Sequence, residues 1–409
     1  MRRLLSPSTL VSSLVSGTII VAVATMVAVA NIRDVRRGRA VYTRPDVRGA
    51  KTTRDDLNRR IGDLGQRLSQ RPEDLGLAVM LADALLRQTR VTGNAGLAIE
   101  AERSLKRALD GDAANYDGNR MLAAIYLSQH RFRDAIAVAE KNRQARPYDP
   151  VNDGVIGDGH LELGEYAEAL DAFDRMMTLR PSSAAYARVA YARELQGNLN
   201  GALQAMELAA DATAADDPEA LAWHQAQLGD LYWRLGKTRE AESAYIAASH
   251  AFPGHPFAVA GYARVLSERG DVTGALTLLQ ELAQAAPTPD LAARIGDLLQ
   301  RLGRGDEAER QFAIAEAGWR TDAPEPKNLA RFLADHNRKI DEAVAMAERA
   351  AAERQDIFTE DALAWSYFKA GRRDEARRAI ARAMRTGTKD ADILAHARAI
   401  GQPMLARLR

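Results

Sequence analysis

The chain of 409 residues contains no cysteine. This absence excludes disulfides, cysteine-ligated zinc, iron–sulfur clusters, a catalytic thiol and a lipid-modified N-terminal cysteine. Aromatic residues make up only 6% of the chain, although 46% is hydrophobic, so small apolar side chains, mostly alanine and leucine, have to form the core. Neither sign of charge is in excess, because the chain contains 56 Lys and Arg residues and 55 Asp and Glu residues.

The balanced charge hides an uneven distribution along the chain. Residues 1–31 carry two arginines, and residues 32–60 carry ten basic and four acidic residues. The remainder, residues 61–409, is mildly acidic, with 44 basic and 51 acidic residues. Binding to phosphates needs a concentrated basic face. We therefore expect no nucleic-acid partner.

Residues 10–32 form the longest apolar run and contain no charged residue. About 20 residues suffice to cross the hydrocarbon core of a bilayer as a helix. Residues 1–32 are predicted to be a single transmembrane anchor. Cleavage after Ala30 is the alternative, because Ala28-Val29-Ala30 has the form of a signal-peptidase site.

Residues 33–54 form a basic linker behind the apolar run. Six arginines lie within residues 31–50 and two precede the run. The positive-inside rule then places the rest of the chain in the cytoplasm, on a single-pass protein of the inner (cell) membrane. A periplasmic location is the alternative.

A sequence repeat follows the linker. Pro147 and Pro181 lie one period apart and bring other positions into register. The best copy, residues 222–255, contains Leu228, Gly229, Tyr232, Ala241, Tyr245, Ala248 and Pro253. Each half of a copy has the apolar spacing of an amphipathic helix.

This pattern resembles the tetratricopeptide repeat (TPR), a helix–turn–helix unit of about 34 residues. The resemblance implies an all-α fold, a right-handed α-solenoid behind one transmembrane helix. We expect about nine repeats within residues 55–409, with capping helices near 55–70 and 391–400. Thr388 is expected in an exposed turn beyond the last full repeat. Segments such as Tyr191–Gly197 are similar to bacterial multi-TPR proteins with no assigned activity.

The sequence offers no constellation for catalysis. None of the seven histidines pairs with another at helical i, i+4 spacing, and Gly154–Gly159 lacks the spacing of a nucleotide-binding loop. Neither a nucleophile elbow nor a zincin helix occurs. We therefore predict no enzyme, no metal site, no cofactor and no small-molecule ligand.

The resemblance does imply a groove lined by the first helix of each pair. Eleven residues are predicted to line it: Asp158, Tyr191, Glu194, Trp223, Asp230, Trp233, Phe257, Arg264, Asp297, Trp365 and Phe368. Aromatic anchors beside charged side chains suit an extended peptide. Packing between repeats is the alternative role for Trp223 and Trp233.

These patterns predict a membrane-anchored, non-catalytic scaffold that binds protein or peptide partners, with a role in envelope assembly or export. Two alternatives stay open. One is a secreted or periplasmic TPR binding module. The other is a component of polysaccharide assembly, in which Trp223 and Trp233 stack on sugars.

Overall fold

A computed structural model describes residues 50–321 and 326–401. These residues contain twenty α-helices and no strand, which confirms the predicted all-α class for this part of the chain. The predicted membrane segment, residues 10–32, and residues 33–49 of the predicted linker lie outside the described residues. None of the described helices combines the length and the apolar character that a membrane span needs.

Within the described residues nine helix pairs follow one another, with one helix before them and one after them. In chain order the helices are α1 (Ala50–Gln70), α2 (Leu75–Thr92), α3 (Gly96–Leu109), α4 (Tyr116–Ser128), α5 (Phe132–Ala145), α6 (Pro150–Leu163), α7 (Tyr166–Leu179), α8 (Ser183–Leu195), α9 (Leu199–Asp211), α10 (Pro218–Arg234), α11 (Thr238–Ala251), α12 (Pro256–Glu268), α13 (Val272–Ala285), α14 (Pro289–Arg301), α15 (Gly305–Thr321), α16 (Pro326–Asp335), α17 (Ile340–Glu353), α18 (Ile357–Lys369), α19 (Arg373–Ala383) and α20 (Ala391–Ile400). The even-numbered helices from α2 to α18 are the first helices of the pairs.

Local sequence signals begin these helices. Asp217 caps α10 by accepting a hydrogen bond from the amide of Ala220, and Pro218 occupies the first turn. Thr288 caps α14 in the same way, through the amide of Leu291, again with a proline in the first turn. A side-chain acceptor followed by proline suits a helix start, because the first amides lack partners within the helix.

A buried aromatic ring holds neighbouring pairs together. Tyr245 of α11 is fully buried. A Cβ added to Gly229 of α10 would lie 2.4 Å from the Tyr245 ring, and one added to Gly261 of α12 would lie 2.2 Å from it. Glycine is therefore required on both first helices, because the ring fills the space between them. Phe173 against Gly157 and Phe312 against Gly296 repeat the arrangement within their pairs.

Helix pairs that stand six pairs apart in the sequence contact each other. The amide of Gln355, before α18, donates to the oxygen of Leu163 at the end of α6 (3.2 Å). The hydroxyl of Thr386, before α20, donates to the oxygen of Leu195 at the end of α8 (2.6 Å). In both places the end of a first helix contacts the segment that precedes the helix six pairs later, so one turn of the solenoid takes about six pairs.

The core also joins successive turns of the solenoid. One apolar cluster contains Leu161 and Leu195 from α6 and α8 together with Ile357, Leu363 and Ile393 from α18 and α20. The segment before α20 takes part in this packing, and Thr388 is only 4% exposed. The expectation of an exposed turn at Thr388 is therefore wrong, because that turn contacts an earlier part of the chain.

A second contact between distant pairs lies near the start of the array. Arg90 of α2 donates two hydrogen bonds, of 3.0 and 2.6 Å, to the buried carboxylate of Glu219 in α10. Val91 packs with Ala222 and Phe252 in the same region. The first helices thus contact one another both in sequence order and across the solenoid.

Candidate functional site

The residues predicted to bind a partner all lie on first helices. Asp158 is on α6, Tyr191 and Glu194 on α8, Trp223, Asp230 and Trp233 on α10, Phe257 and Arg264 on α12, Asp297 on α14, and Trp365 and Phe368 on α18. We call this set the first-helix row. Five of its members contact a basic side chain on the following first helix: Asp158, Glu194, Asp230, Trp233 and Asp297.

Two carboxylates of the row pair with a basic side chain on the following first helix. Asp158 accepts hydrogen bonds of 2.9 and 2.6 Å from Arg188 of α8. Asp297 lies 3.0 Å from Nε2 of His336 on α16. Burial lowers the pKa of His336, but hydrogen bonds to Asp297 and to the Phe332 oxygen outweigh it and leave the pKa raised.

A third carboxylate, Asp230, lies in a four-residue cluster. It pairs with Arg264 and accepts a hydrogen bond of 2.7 Å from the Tyr245 hydroxyl, which in turn accepts one of 2.6 Å from Arg264. The Arg264 guanidinium lies 5.0 Å from the Trp233 ring centroid, within cation–π range. Burial and the nearby Asp230 raise the pKa of Tyr245, which keeps its hydroxyl a donor.

Glu194 links three parts of the solenoid. Arg234, at the end of α10, lies 3.0 Å from Glu194 and 3.2 Å from Asp390. Asp390 caps α20, one turn of the solenoid later. Next to Glu194 on α8, burial raises the pKa of the Tyr191 phenol well above its usual range. Tyr191 is thus neutral, and Glu194 serves contacts within the chain.

The aromatic members on α18 stack on the last helix. The Trp365 ring lies 4.1 Å from the His396 ring of α20 and 5.2 Å from Phe368. Nδ1 of His396 lies 2.9 Å from the buried carboxylate of Asp361. Trp365 and Phe368 therefore help to hold α20 in place.

Trp223 and Phe257 differ from the rest of the row. They occupy the same position in neighbouring copies of the repeat, on helices α10 and α12 that contact each other. Phe257 is 47% exposed, and Trp223 is partly buried against α8 and α9. No carboxylate or guanidinium on another described first helix pairs with either ring. Phe257 thus leaves apolar surface exposed to solvent, and Trp223 does so in part.

The Asp158–Arg188 and Asp230–Arg264 pairs are partly exposed, and partly exposed pairs contribute only about 1 kcal/mol each to stability. Truncation of a buried ring such as Tyr245 costs about 3–5 kcal/mol. The polar pairs of the row therefore set the relative position of the first helices more than they hold the fold together. Across residues 50–321 and 326–401, no group of three or more His, Cys, Asp and Glu could hold a metal ion.

Sequence reasoning missed the contacts between turns of the solenoid. Gly164 and Gly197 end first helices with positive φ, so glycine is explained there by the turn alone. A Cβ on Gly164 would also lie 2.5 Å from the Gln355 oxygen, and one on Gly197 would lie 2.2 Å from the Gly387 oxygen. The same two glycines thus have a second function, which the repeat register cannot reveal.

Comparison with known families finds the tetratricopeptide repeat in two segments, residues 155–218 and 227–288. A search of curated proteins finds no match. These segments cover most of α6 to α13 and contain seven of the eleven residues of the first-helix row, but not Trp223.

Solved structures share the fold at low sequence identity. The Cut9–Hcn1 hetero-tetramer of the APC/C is 15% identical, with a TM-score of 0.52, and the match covers 85% of this chain and 60% of that chain. The human IFIT1 dimer with m7Gppp-AAAA is 16% identical, with a TM-score of 0.51, and the match covers 76% of this chain and 72% of that chain. A TPR protein from Parabacteroides merdae is 18% identical, with a TM-score of 0.41, covering 58% of this chain and 93% of that chain.

This chain thus spans about 60% of the length of the Cut9–Hcn1 chain that it matches. At these identities the likeness concerns the fold alone. Together with the succession of helix pairs, it identifies the fold as an all-α solenoid, of which residues 155–218 and 227–288 match the tetratricopeptide repeat.

Proposed function

We propose that this chain is a non-catalytic scaffold that binds segments of partner proteins on its first helices. Support comes from the TPR fold and from the arrangement of the first-helix row. The carboxylates of the row pair with arginine or histidine side chains on neighbouring first helices, and such pairs fix the spacing of the first helices. A surface of fixed spacing loses little entropy when a peptide binds.

The observation that carries the proposal is the open apolar surface of Trp223 and Phe257. Both rings stand at the same position of neighbouring repeats, and Phe257 is 47% exposed. Large aromatic side chains that lie partly exposed in a polar surround are typical binding hot spots. An apolar side chain of an extended partner segment would be buried between these two rings.

Substitution of Phe257 tests this proposal. F257E should reduce partner recovery in affinity purification from the native host by about tenfold, because a carboxylate opposes burial of an apolar side chain. I314E is the matched control, since Ile314 of α15 is 57% exposed and lies outside the row. Equal partner recovery with wild type and F257E, at equal thermal stability, would contradict the proposal.

A membrane tether extends the proposal to the cell envelope. The apolar run of residues 10–32 supports a single-pass anchor, and a tethered scaffold would act in envelope assembly or export. S243C offers a topology test, because Ser243 is exposed and the chain has no other thiol. A membrane-impermeant thiol reagent should label it only after the inner membrane is breached. Labelling in intact cells would favour the periplasmic alternatives, including polysaccharide assembly.

An oligonucleotide such as the m7Gppp-AAAA in the human IFIT1 structure is not part of this proposal. The guanidinium groups at the row already form ion pairs within the chain: Arg188 pairs with Asp158, and Arg264 pairs with Asp230. Nucleic-acid binding requires guanidinium or ammonium groups that are free to meet phosphates.

A further inference from the structure

Two neighbouring repeats place an Arg-Pro pair at the same position. Arg146-Pro147 follows α5, and Arg180-Pro181 follows α7, one repeat later. Each arginine directly follows the second helix of its pair, where the chain turns toward the next first helix. The repeat therefore brings two arginines to adjacent loops of the solenoid.

The structure joins these loops in one open cleft. Arg120, Arg146 and Arg180 line a cleft of about 590 Å³ together with Pro147, Tyr148 and Asp149. Tyr148 is 85% exposed, the highest exposure among the large hydrophobic residues of the described chain. Folding buries little of this ring, so its packing contributes little to stability.

The charge of this cleft is unbalanced. Arg120 lies 3.2 Å from Asp149, and Arg146 lies 3.9 Å from the Tyr116 ring centroid. Neither Arg146 nor Arg180 has a carboxylate within ion-pair distance among the described residues. Three guanidinium groups thus share the cleft with one carboxylate.

That carboxylate is fully used within the chain. Asp149 caps α6 through the amide of Val151 (3.0 Å) and accepts a hydrogen bond from the Tyr116 hydroxyl (2.8 Å). Although burial raises the pKa of Asp149, these bonds and Arg120 outweigh it and lower the pKa. Asp149 therefore stays charged and engaged, and the two outer arginines remain available.

We infer that this cleft, which we call the Arg-Pro cleft, binds an acidic segment of a partner protein. Carboxylates of the segment would pair with Arg146 and Arg180, and an apolar side chain would pack on Tyr148. Tyrosine and arginine are the residues that most often dominate protein interfaces. The cleft shares no residue with the first-helix row, so a partner could contact both surfaces.

A protein segment fits the cleft better than nucleic acid does. The carboxylates of Asp149 and Asp117 stand beside Arg120 and interrupt the positive surface. A nucleic acid carries a negative charge at every nucleotide, so its binding needs a continuous basic face on the protein. An acidic segment of a protein can place its carboxylates at the two arginines alone.

Selection from a phage-displayed library of random dodecapeptides tests the inference. Wild-type protein should enrich peptides rich in Asp and Glu, and R146E/R180E should not. R103E/R107E is the matched control: it changes the net charge equally on exposed arginines of α3 and should enrich the same peptides as wild type. A selected acidic peptide should bind R146E/R180E about tenfold more weakly in fluorescence anisotropy, and should bind wild type more weakly at high salt.

Other outcomes would overturn the inference. Enrichment of neutral peptides, or of acidic peptides that bind R146E/R180E as well as they bind wild type, would remove the cleft from partner binding. A single-stranded RNA dodecamer that displaces the selected peptide, with loss of both in R146E/R180E, would assign the cleft to nucleic acid instead. Circular dichroism of each variant verifies that the helices are intact.

Discussion

The hydroxyl of Thr386 donates a hydrogen bond of 2.6 Å to the main-chain oxygen of Leu195, although 191 residues separate them. The same separation recurs where the amide of Ile357 donates to the Tyr166 hydroxyl over 2.9 Å. These contacts tie two turns of the solenoid at equivalent places, six helix pairs apart. An open superhelix with free space between its turns could not form them.

Loss of the Thr386 hydroxyl should loosen this contact. T386V keeps the side-chain shape but leaves the Leu195 oxygen without its donor, at a cost of about 1 kcal/mol. Hydrogen exchange should therefore become faster at residues 195–197 and 386–390 and stay unchanged in α2 to α4. T277V is the control, because Thr277 donates only to Thr273 within its own exposed helix face. Equal exchange in T386V and wild type would contradict this contact.

The two glycines around Tyr245 should not tolerate a side chain. G229A and G261A each place a Cβ within 2.4 Å of the Tyr245 ring, so either should lower stability by about 1–3 kcal/mol. G62A, in helix α1, should not lower stability, because a Cβ at this position would have no neighbouring atom within 4 Å. Since alanine favours helix over glycine, G62A should be neutral or stabilising. Denaturant midpoints measure all three, and a stable G261A would show that the ring is not confined between α10 and α12.

Acid should destabilise the fold through His224. Burial lowers the pKa of this imidazole to about 4, against an ordinary value of 6.5, although Asp217 and Glu219 act in the opposite direction. Between pH 6.5 and pH 4 the unfolded chain binds a proton at His224, whereas the folded chain does not. The contribution of His224 to the free energy of unfolding is therefore fully present above pH 6.5 and is lost as the pH falls toward 4.

The H224Q variant isolates this contribution from the other titrating groups. Glutamine can still bond to the Thr213 hydroxyl, which lies 2.9 Å from Nδ1 of His224. Wild type should lose about 2 kcal/mol more than H224Q between pH 7 and pH 4.5. Parallel stability curves for the two proteins over this range would show that His224 is protonated in the folded chain.

A cysteine at position 388 should react slowly. Thr388 is 4% exposed, and its hydroxyl accepts a hydrogen bond from the amide of Asp390 over 3.2 Å. T388C should therefore react with a thiol reagent at least about tenfold more slowly than S243C, because thiol reactivity requires access to solvent. Similar rates for both variants would mean that the segment before α20 opens readily.

The repeat register explains which parts of the fold could be predicted. Contacts within a pair and with the next pair recur at fixed spacing, so Gly229 and Tyr245 could be recognised from the sequence as packing positions. Contacts between turns depend on how small rotations add up over six pairs, and no single position carries that information. Gly197 shows the consequence, since its turn was predictable but its approach to Gly387 was not.

The first-helix row shows the same limit. Position in the repeat predicts that Asp230 and Arg264 lie on first helices, and the structure places them there. Position cannot predict whether two such residues meet each other or a partner, because that depends on the distance between neighbouring helices. Phe257 and Trp223 became distinguishable from the rest of the row only once these pairings were known.

A distance measurement between R133C and K327C tests directly whether the solenoid closes after about six pairs. Arg133 of α5 and Lys327 of α16 line one cavity of about 500 Å³ between two turns. Since the chain has no cysteine of its own, spin labels attach only at these two positions. Double electron–electron resonance should give a short, narrow distance distribution. A long or broad distribution would mean that the turns lie apart, and the contacts of Leu163 with Gln355 and of Leu195 with Thr386 would have to be abandoned.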